Sequence, residues 1–127
     1  NKTNEMIEKN IKKITKGICD AHGVSCEVSY KTTCPVTFNE SQQAESATKA
    51  AKSLLGEQKT YGDIEPRLFS EDFSIMSSTK PGCFVLMGNG TEGSNGRPLH
   101  AADYDFNDEL LVFGSSYWVE LAEQQLK

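Results

Sequence analysis

The side chains best suited to chemistry crowd into residues 97–118, R-P-L-H-A-A-D-Y-D-F-N-D-E-L-L-V-F-G-S-S-Y-W. His100, one of only two histidines, stands here beside Asp103, Asp105, Asn107, Asp108 and Glu109, with Tyr104 and Phe106 set between them. A histidine on a short loop next to carboxylates, tied to the start of a packed helix, is how a chain fixes a metal ligand or a proton carrier. The plainer reading is a surface loop running into a helix start, where Asn107 or Asp108 caps and Glu109 favours the positive end of the helix dipole.

Two other constellations invite chemistry and carry less. Cys19-x-x-His22-x-x-x-Cys26 would need Cys34 as a fourth ligand to make a structural zinc site. Cys19 and Cys26 both also fit apolar positions of the local patterns. No pair is spaced C-x-x-C and residues 1–10 show no signal-peptide pattern, so the four cysteines (Cys19, Cys26, Cys34, Cys83) are expected as free, partly buried thiols. Gly88, Gly90 and Gly93 spell G-x-G-x-x-G, but a dinucleotide site needs a helix to open there. Ser94-Asn95-Gly96-Arg97-Pro98 continues the loop instead, which favours a glycine-rich loop leading to His100.

The elements that must position these residues follow from periodicity. Ile7, Ile11, Ile14 and Ile18 share one helical face, and Gly23 is placed for a left-handed cap, giving a helix over 4–22. Val24, Cys26, Val28 and Tyr30 alternate with polar residues as in a half-buried strand over 24–31. Pro35 breaks the connector after it. Asn39 and Gln42 have capping-box spacing before a helix over 40–55, whose Ala44, Ala47 and Ala51 suit close packing and which Gly56 ends. Ile64, Pro66 and Leu68 predict a short strand over 64–68. Ser70 reads as the N-cap of a helix over 71–78, with Glu71 and Asp72 in its first turn. Residues 83–88 form a continuous apolar run, as in a central strand covered on both faces. Leu110, Leu111, Tyr117, Trp118, Leu121 and Ala122 predict a helix over 109–126 that anchors the His100 loop from behind.

Bulk properties exclude some classes. The net charge is −5 and the 13 basic residues form no stripe, which argues against nucleic acid as a partner. The apolar runs are too short to span a membrane, and the expected compartment is the cytoplasm. The chain does not begin with Met, which suggests a fragment or a processed chain.

Three segments together carry a resemblance: S-E-D-F at 70–73, P-G-C-F-V-L-M-G-N-G at 81–90, and L-H-A-A-D-Y-D-F-N-D-E-L-L-V-F-G-S-S-Y-W at 99–118. In this order and spacing they closely resemble the C-terminal signature of the amidohydrolase branch of the zinc-type metallopeptidases, which includes hippurate hydrolases, N-acyl-amino-acid amidohydrolases and auxin-conjugate hydrolases. The resemblance implies an α/β architecture. Residues 1–37 would be the last helix and strand of an α+β lid domain, and 38–127 the C-terminal part of a catalytic domain with a mixed sheet and packed helices.

It further implies a parent enzyme that cleaves the amide bond of N-acyl amino acids or small peptides with a metal-activated water. The metal would be zinc, manganese, cobalt or nickel. His100 matches the family's last metal ligand. Glu71 would line the site, and Asp105, Asn107 and Asp108 would hold the loop and cap the helix.

The family's other ligands and its general base lie upstream and have no counterpart here. No catalytic residue is therefore assigned within this chain, which alone is expected to be inactive and to bind no metal. Its expected partners are the upstream part of the same polypeptide, the substrate of the parent, and a second copy. The competing readings are a non-catalytic α+β interaction domain and, more weakly, the cysteine-based zinc module.

Overall fold

The structure, a computed structural model, describes residues 2–127. Four helices order the chain: α1 (Lys2–Ala21), α2 (Ser41–Leu55), α3 (Phe73–Ser77) and α4 (Leu110–Gln125), with short 3-10 turns at Glu57–Lys59 and Ser94–Gly96. Each helix falls within two or three residues of its expected position. The chain divides into two units, one ending at Thr33 and one spanning Cys34–Lys127.

The expected α/β fold is not what forms. Among the described residues there is no strand and no sheet. The three segments expected as strands, 24–31, 64–68 and 83–88, carry no ladder. Alternation and apolar runs are local properties, but a strand exists only when a neighbour's N–H and C=O groups complete its hydrogen bonds. No such neighbour is found here. The consequence is plainest at 85–87, where Val85, Leu86 and Met87 are about half exposed instead of covered on both faces.

In the first unit, α1 ends in a Schellman motif. Val24 N–H donates to Cys19 O (3.0 Å) and Gly23 N–H to Asp20 O (3.2 Å), with Gly23 at φ 66°. The cap read from Gly23 is therefore present. The chain then returns along α1. Asn4, expected near the helix start, instead ties this return down: its Nδ2 donates to Thr32 Oγ1 (2.7 Å) and its Oδ1 accepts from Tyr30 Oη (2.8 Å). Of the alternating set, Val28 and Tyr30 are half-buried on either side of exposed Ser29, while Val24 and Cys26 are exposed. None of the described residues of α1 is buried, and Ile7, Ile11, Ile14 and Ile18 stay exposed.

In the second unit α2 packs against α4. The small face of α2 allows close approach: Ala50 is fully buried and Ala47 nearly so, opposite the buried Tyr117. On α4 the covered stripe includes Leu110, Gly114, Tyr117 and Leu121; Leu111, Trp118 and Ala122, expected to join it, are exposed. The capping box expected from Asn39 does not form. Glu40 takes the N-cap position, and the Asn39 amide binds both backbone groups of Phe84, accepting from its N–H (2.8 Å) and donating to its C=O (2.9 Å). Glu40 N–H adds a bond to Gly82 O (3.0 Å). One side chain thus supplies to residue 84 the pairing that a neighbouring strand would give.

Burial has a consequence at alkaline pH. The Tyr117 hydroxyl is pushed above its usual range, mainly by burial and secondarily by the nearby Cys83, and burial likewise pushes Cys83 up. Both groups are protonated more tightly in the folded chain than in the unfolded one. Their contribution to stability is therefore complete below the ordinary thiol and phenol values of 9.0 and 10.0 and is lost as pH rises through the higher folded values. Thermal unfolding should be insensitive to these groups between neutral pH and about pH 8.5, then fall. Tyr117→Phe with Cys83→Ala should flatten that alkaline fall, measured by circular dichroism across pH.

Candidate functional site

The His100 loop is built outward from one amide. Asn89 follows the apolar run 83–88 and reaches three parts of the loop. Its Nδ2 donates to Asn95 O (3.0 Å) and Asp105 O (2.8 Å), and its Oδ1 accepts from Asn107 N–H (2.9 Å). Its own backbone carbonyl accepts from Asn107 Nδ2 (3.2 Å). Residues 95, 105 and 107 are thereby held to one point, and the chain between them must bulge outward with His100 on it.

Glycine makes the near side possible. Gly90 and Gly93 have φ of 144° and 60°. A Cβ on Gly96 would lie 2.5 Å from Thr91 C and 2.6 Å from Thr91 O, so only glycine lets the two backbones pass. On the far side two turns follow in succession, Ala101 N–H to Pro98 O and Tyr104 N–H to Ala101 O, both 3.1 Å. An ion pair between Arg97 Nε and Asp103 Oδ2 (2.9 Å) spans them, and Tyr104 and Phe106 pack edge to face at 5.1 Å. Asn107 then starts α4: its Oδ1 accepts from Glu109 N–H (3.1 Å) and its carbonyl from Leu110 N–H (3.0 Å).

His100 is the third residue of the first turn and has φ 69°, the sole positive φ outside glycine among the described residues. That is the position where a type II turn demands a left-handed residue, normally Gly or Asn. Histidine is tolerated there at a cost, and a non-glycine residue held in that region is a pointer to function. Its imidazole is exposed, with Asp105 and Asp108 exposed on the same loop.

Of the other expected site residues, Asn107 is where the loop is pinned and the helix begun. Asp105 contributes its carbonyl to Asn89 and leaves its carboxylate free of that bond. Asp108 contributes its carbonyl to Leu111 N–H (3.1 Å). Glu71 bonds within its own helix start, where Oε1 accepts a long bond from Phe73 N–H (3.4 Å) and its carbonyl binds the buried Ser74 hydroxyl (2.6 Å). Ser70 does not cap α3, which begins after Asp72. Clefts lie beside α1 and α2, and neither is lined by His100.

A divalent metal needs several such donors converging on one point. Among the described residues no three His, Cys, Asp or Glu side chains stand close enough to hold one, either at His100 or at Cys19, His22 and Cys26. The described residues by themselves therefore do not fit a metal. Sequence reading missed Asn89. The available signal was a polar amide closing an apolar run between two glycines.

The family model of peptidase family M20/M25/M40 matches residues 4–124. The chain is 33% identical, over its full length and 32% of the other protein, to the hippurate hydrolase of Campylobacter jejuni. It is 32% identical over 73% of its length, and 21% of the other, to the IAA-amino acid hydrolase ILR1-like 2 of Arabidopsis thaliana. With the putative amidohydrolase YhaA of Bacillus subtilis it shares 28% identity over 85% of its length and 27% of the other. The chain spans about a third or less of the length of these curated relatives. No solved structure matches it.

Proposed function

The chain belongs to peptidase family M20/M25/M40, and on that premise we propose that it is the C-terminal part of a metal-dependent hydrolase cleaving the amide bond of N-acyl amino acids or small peptides. The observation that carries the reading is the left-handed, exposed His100, braced on both sides by Asn89 and by the Arg97–Asp103 pair. A non-glycine residue held in the left-handed region is a pointer to function, and that supports a role for His100. The relatives bear hydrolase names, among them hippurate hydrolase and amino acid hydrolase. Under this reading His100 supplies one metal ligand, and the remaining ligands and the general base come from polypeptide outside these 127 residues. Glu71 lines the site, and Asp105, Asn107 and Asp108 hold the loop and cap the helix. No described helix is long and apolar enough to cross a membrane. The uncovered isoleucine face of α1 supports association, either with such additional polypeptide or with a second copy.

The test is an amide-hydrolysis assay on hippurate and related N-acyl amino acids, with zinc, manganese, cobalt or nickel supplied in turn. Two proteins are compared: this chain alone, and the polypeptide extended upstream through its reading frame. The expected result is turnover by the extended protein and none by the chain. Turnover by the isolated chain, or silence from both with every metal and substrate, would overturn the reading; the second outcome is what a non-catalytic interaction domain would give.

A further inference from the structure

We propose that Asn95 is a self-modification site: its side-chain amide is lost through attack by the Gly96 backbone nitrogen, while the fold protects the matching pair Asn89-Gly90. The sequence holds two Asn-Gly pairs, and both lie in the loop that leads to His100. Asparagine is among the thermolabile residues, and a following glycine offers the least shielded peptide nitrogen because it has no side chain. By sequence the two pairs are equals. Their surroundings separate them.

The reaction needs the Asn side chain to swing until its Cγ meets the next peptide nitrogen. At Asn89 that swing is blocked. Its Nδ2 and Oδ1 are both committed, with bonds of 3.0, 2.8 and 2.9 Å to Asn95 O, Asp105 O and Asn107 N–H, and all three must break together. The Asn95 side chain is held by a single long bond, Ser94 Oγ to Asn95 Oδ1 (3.4 Å), and Ser94 and Gly96 on either side are exposed. The attacking nitrogen is tied by one bond, Gly96 N–H to Glu92 O (3.0 Å), in a 3-10 turn of three residues, Ser94–Gly96. Such a turn opens more readily than a packed helix. The site does not depend on any role assigned to His100.

The Gly96 nitrogen loses its proton and attacks Asn95 Cγ. A C–N bond forms, the Cγ–Nδ2 bond breaks, and ammonia leaves carrying a proton. The product is a five-membered imide. Water then adds at one of its two carbonyl carbons and opens it. Opening at the former side-chain carbonyl gives an aspartate. Opening at the main-chain carbonyl gives an isoaspartate, whose peptide link runs through Cβ and Cγ and is one carbon longer. No electrons are transferred, and the rate rises with pH because the nitrogen must first lose its proton. The extra carbon enters where the backbones of Gly96 and Thr91 already pass with no room for a Cβ. It also turns the carbonyl that Asn89 Nδ2 holds into a carboxylate. Modification therefore loosens the clamp on the His100 loop.

The full chain is kept warm at mildly alkaline pH, folded in one sample and unfolded in urea in another, then digested with a protease that cuts after glutamate. Cleavage after Glu92 puts Asn89 and Asn95 on separate peptides, whose masses and fragments report amide-to-acid conversion. In urea both residues should convert at similar rates. In the folded chain Asn95 should convert at least about tenfold faster than Asn89, as the two additional side-chain bonds at Asn89 require. Asn95→Gln, which would have to close a less favoured six-membered ring, should stop conversion at that position while keeping the helical circular dichroism of the parent chain. The converted chain, isolated by its added charge, should exchange the Asn107 N–H faster. Asn89 converting as fast as Asn95 in the folded chain, or Asn95 converting no faster than Asn107, would overturn the site. Unchanged exchange at Asn107 would overturn its coupling to the His100 loop.

Discussion

Glycine in place of His100, placed in the polypeptide extended upstream, abolishes amide hydrolysis while leaving the chain as stable as before or slightly more so. The two halves of this expectation come from different parts of the structure. An L-residue at φ 69° pays roughly 1–2 kcal/mol for its left-handed backbone, which glycine does not. The imidazole is exposed, so its removal uncovers no core. Were His100 only a turn residue, glycine would be the better choice and activity would be untouched. If instead it is a ligand, the loss should be on the order of a thousandfold, because a bound metal contributes several kcal/mol to the transition state and each ~1.4 kcal/mol is tenfold. The checks are kcat/KM, the metal content of the purified protein, and its melting temperature. Unchanged activity and metal content in the glycine variant would remove His100 from the mechanism. Lost activity together with a large fall in melting temperature would return it to a structural role.

The contrast between what was legible and what was not runs along one physical line. The four helices were legible because their signals are local: the isoleucine spacing of α1, the alanine face of α2, Gly23 and Gly56 where the chain turns out of the helix. Gly23 was placed correctly as a cap because only the chain within six residues decides it. The sheet was not legible for the converse reason. Val24 to Tyr30 alternates as a strand should, yet alternation describes a face and not a partner. In the apolar run 83–88 the backbone of Phe84 is paired by the Asn39 side chain, and that amide reads in sequence as a helix cap. Amides are hard to read for this reason. Asn39, Asn89 and Asn4 each both donate and accept, and which groups they find, backbone for Asn39 and Asn89 and side-chain hydroxyls for Asn4, is settled by residues 45, 16–18 or 26–28 positions away. His100 and its acidic neighbours stood out by composition. The backbone strain at His100 and the clamp that imposes it belong to tertiary structure.

That clamp carries the second large effect. Asn89→Ala deletes three side-chain hydrogen bonds, to Asn95 O, Asp105 O and Asn107 N–H, and leaves those backbone groups to water or to no partner. At about 0.5–1.5 kcal/mol net for each bond, the loss is about 3 kcal/mol, a large share of the stability of a small domain. Asn89→Asp separates the roles. It keeps an acceptor for Asn107 N–H but places a carboxylate oxygen against the carbonyls of Asn95 and Asp105, so it should cost at least as much as alanine. The damage should be concentrated in residues 90–109. Amide hydrogen exchange should quicken at Asn107 and at Glu109, whose N–H depends on the Asn107 side chain. The α2–α4 packing around Ala50 and Tyr117 should keep its protection. In the extended protein the expected companion is a fall in metal affinity larger than any change in substrate KM, because the loop no longer presents His100 in one place. Equal loss of protection throughout Cys34–Lys127 would instead make Asn89 a general stabiliser of that unit and deny it a positioning role.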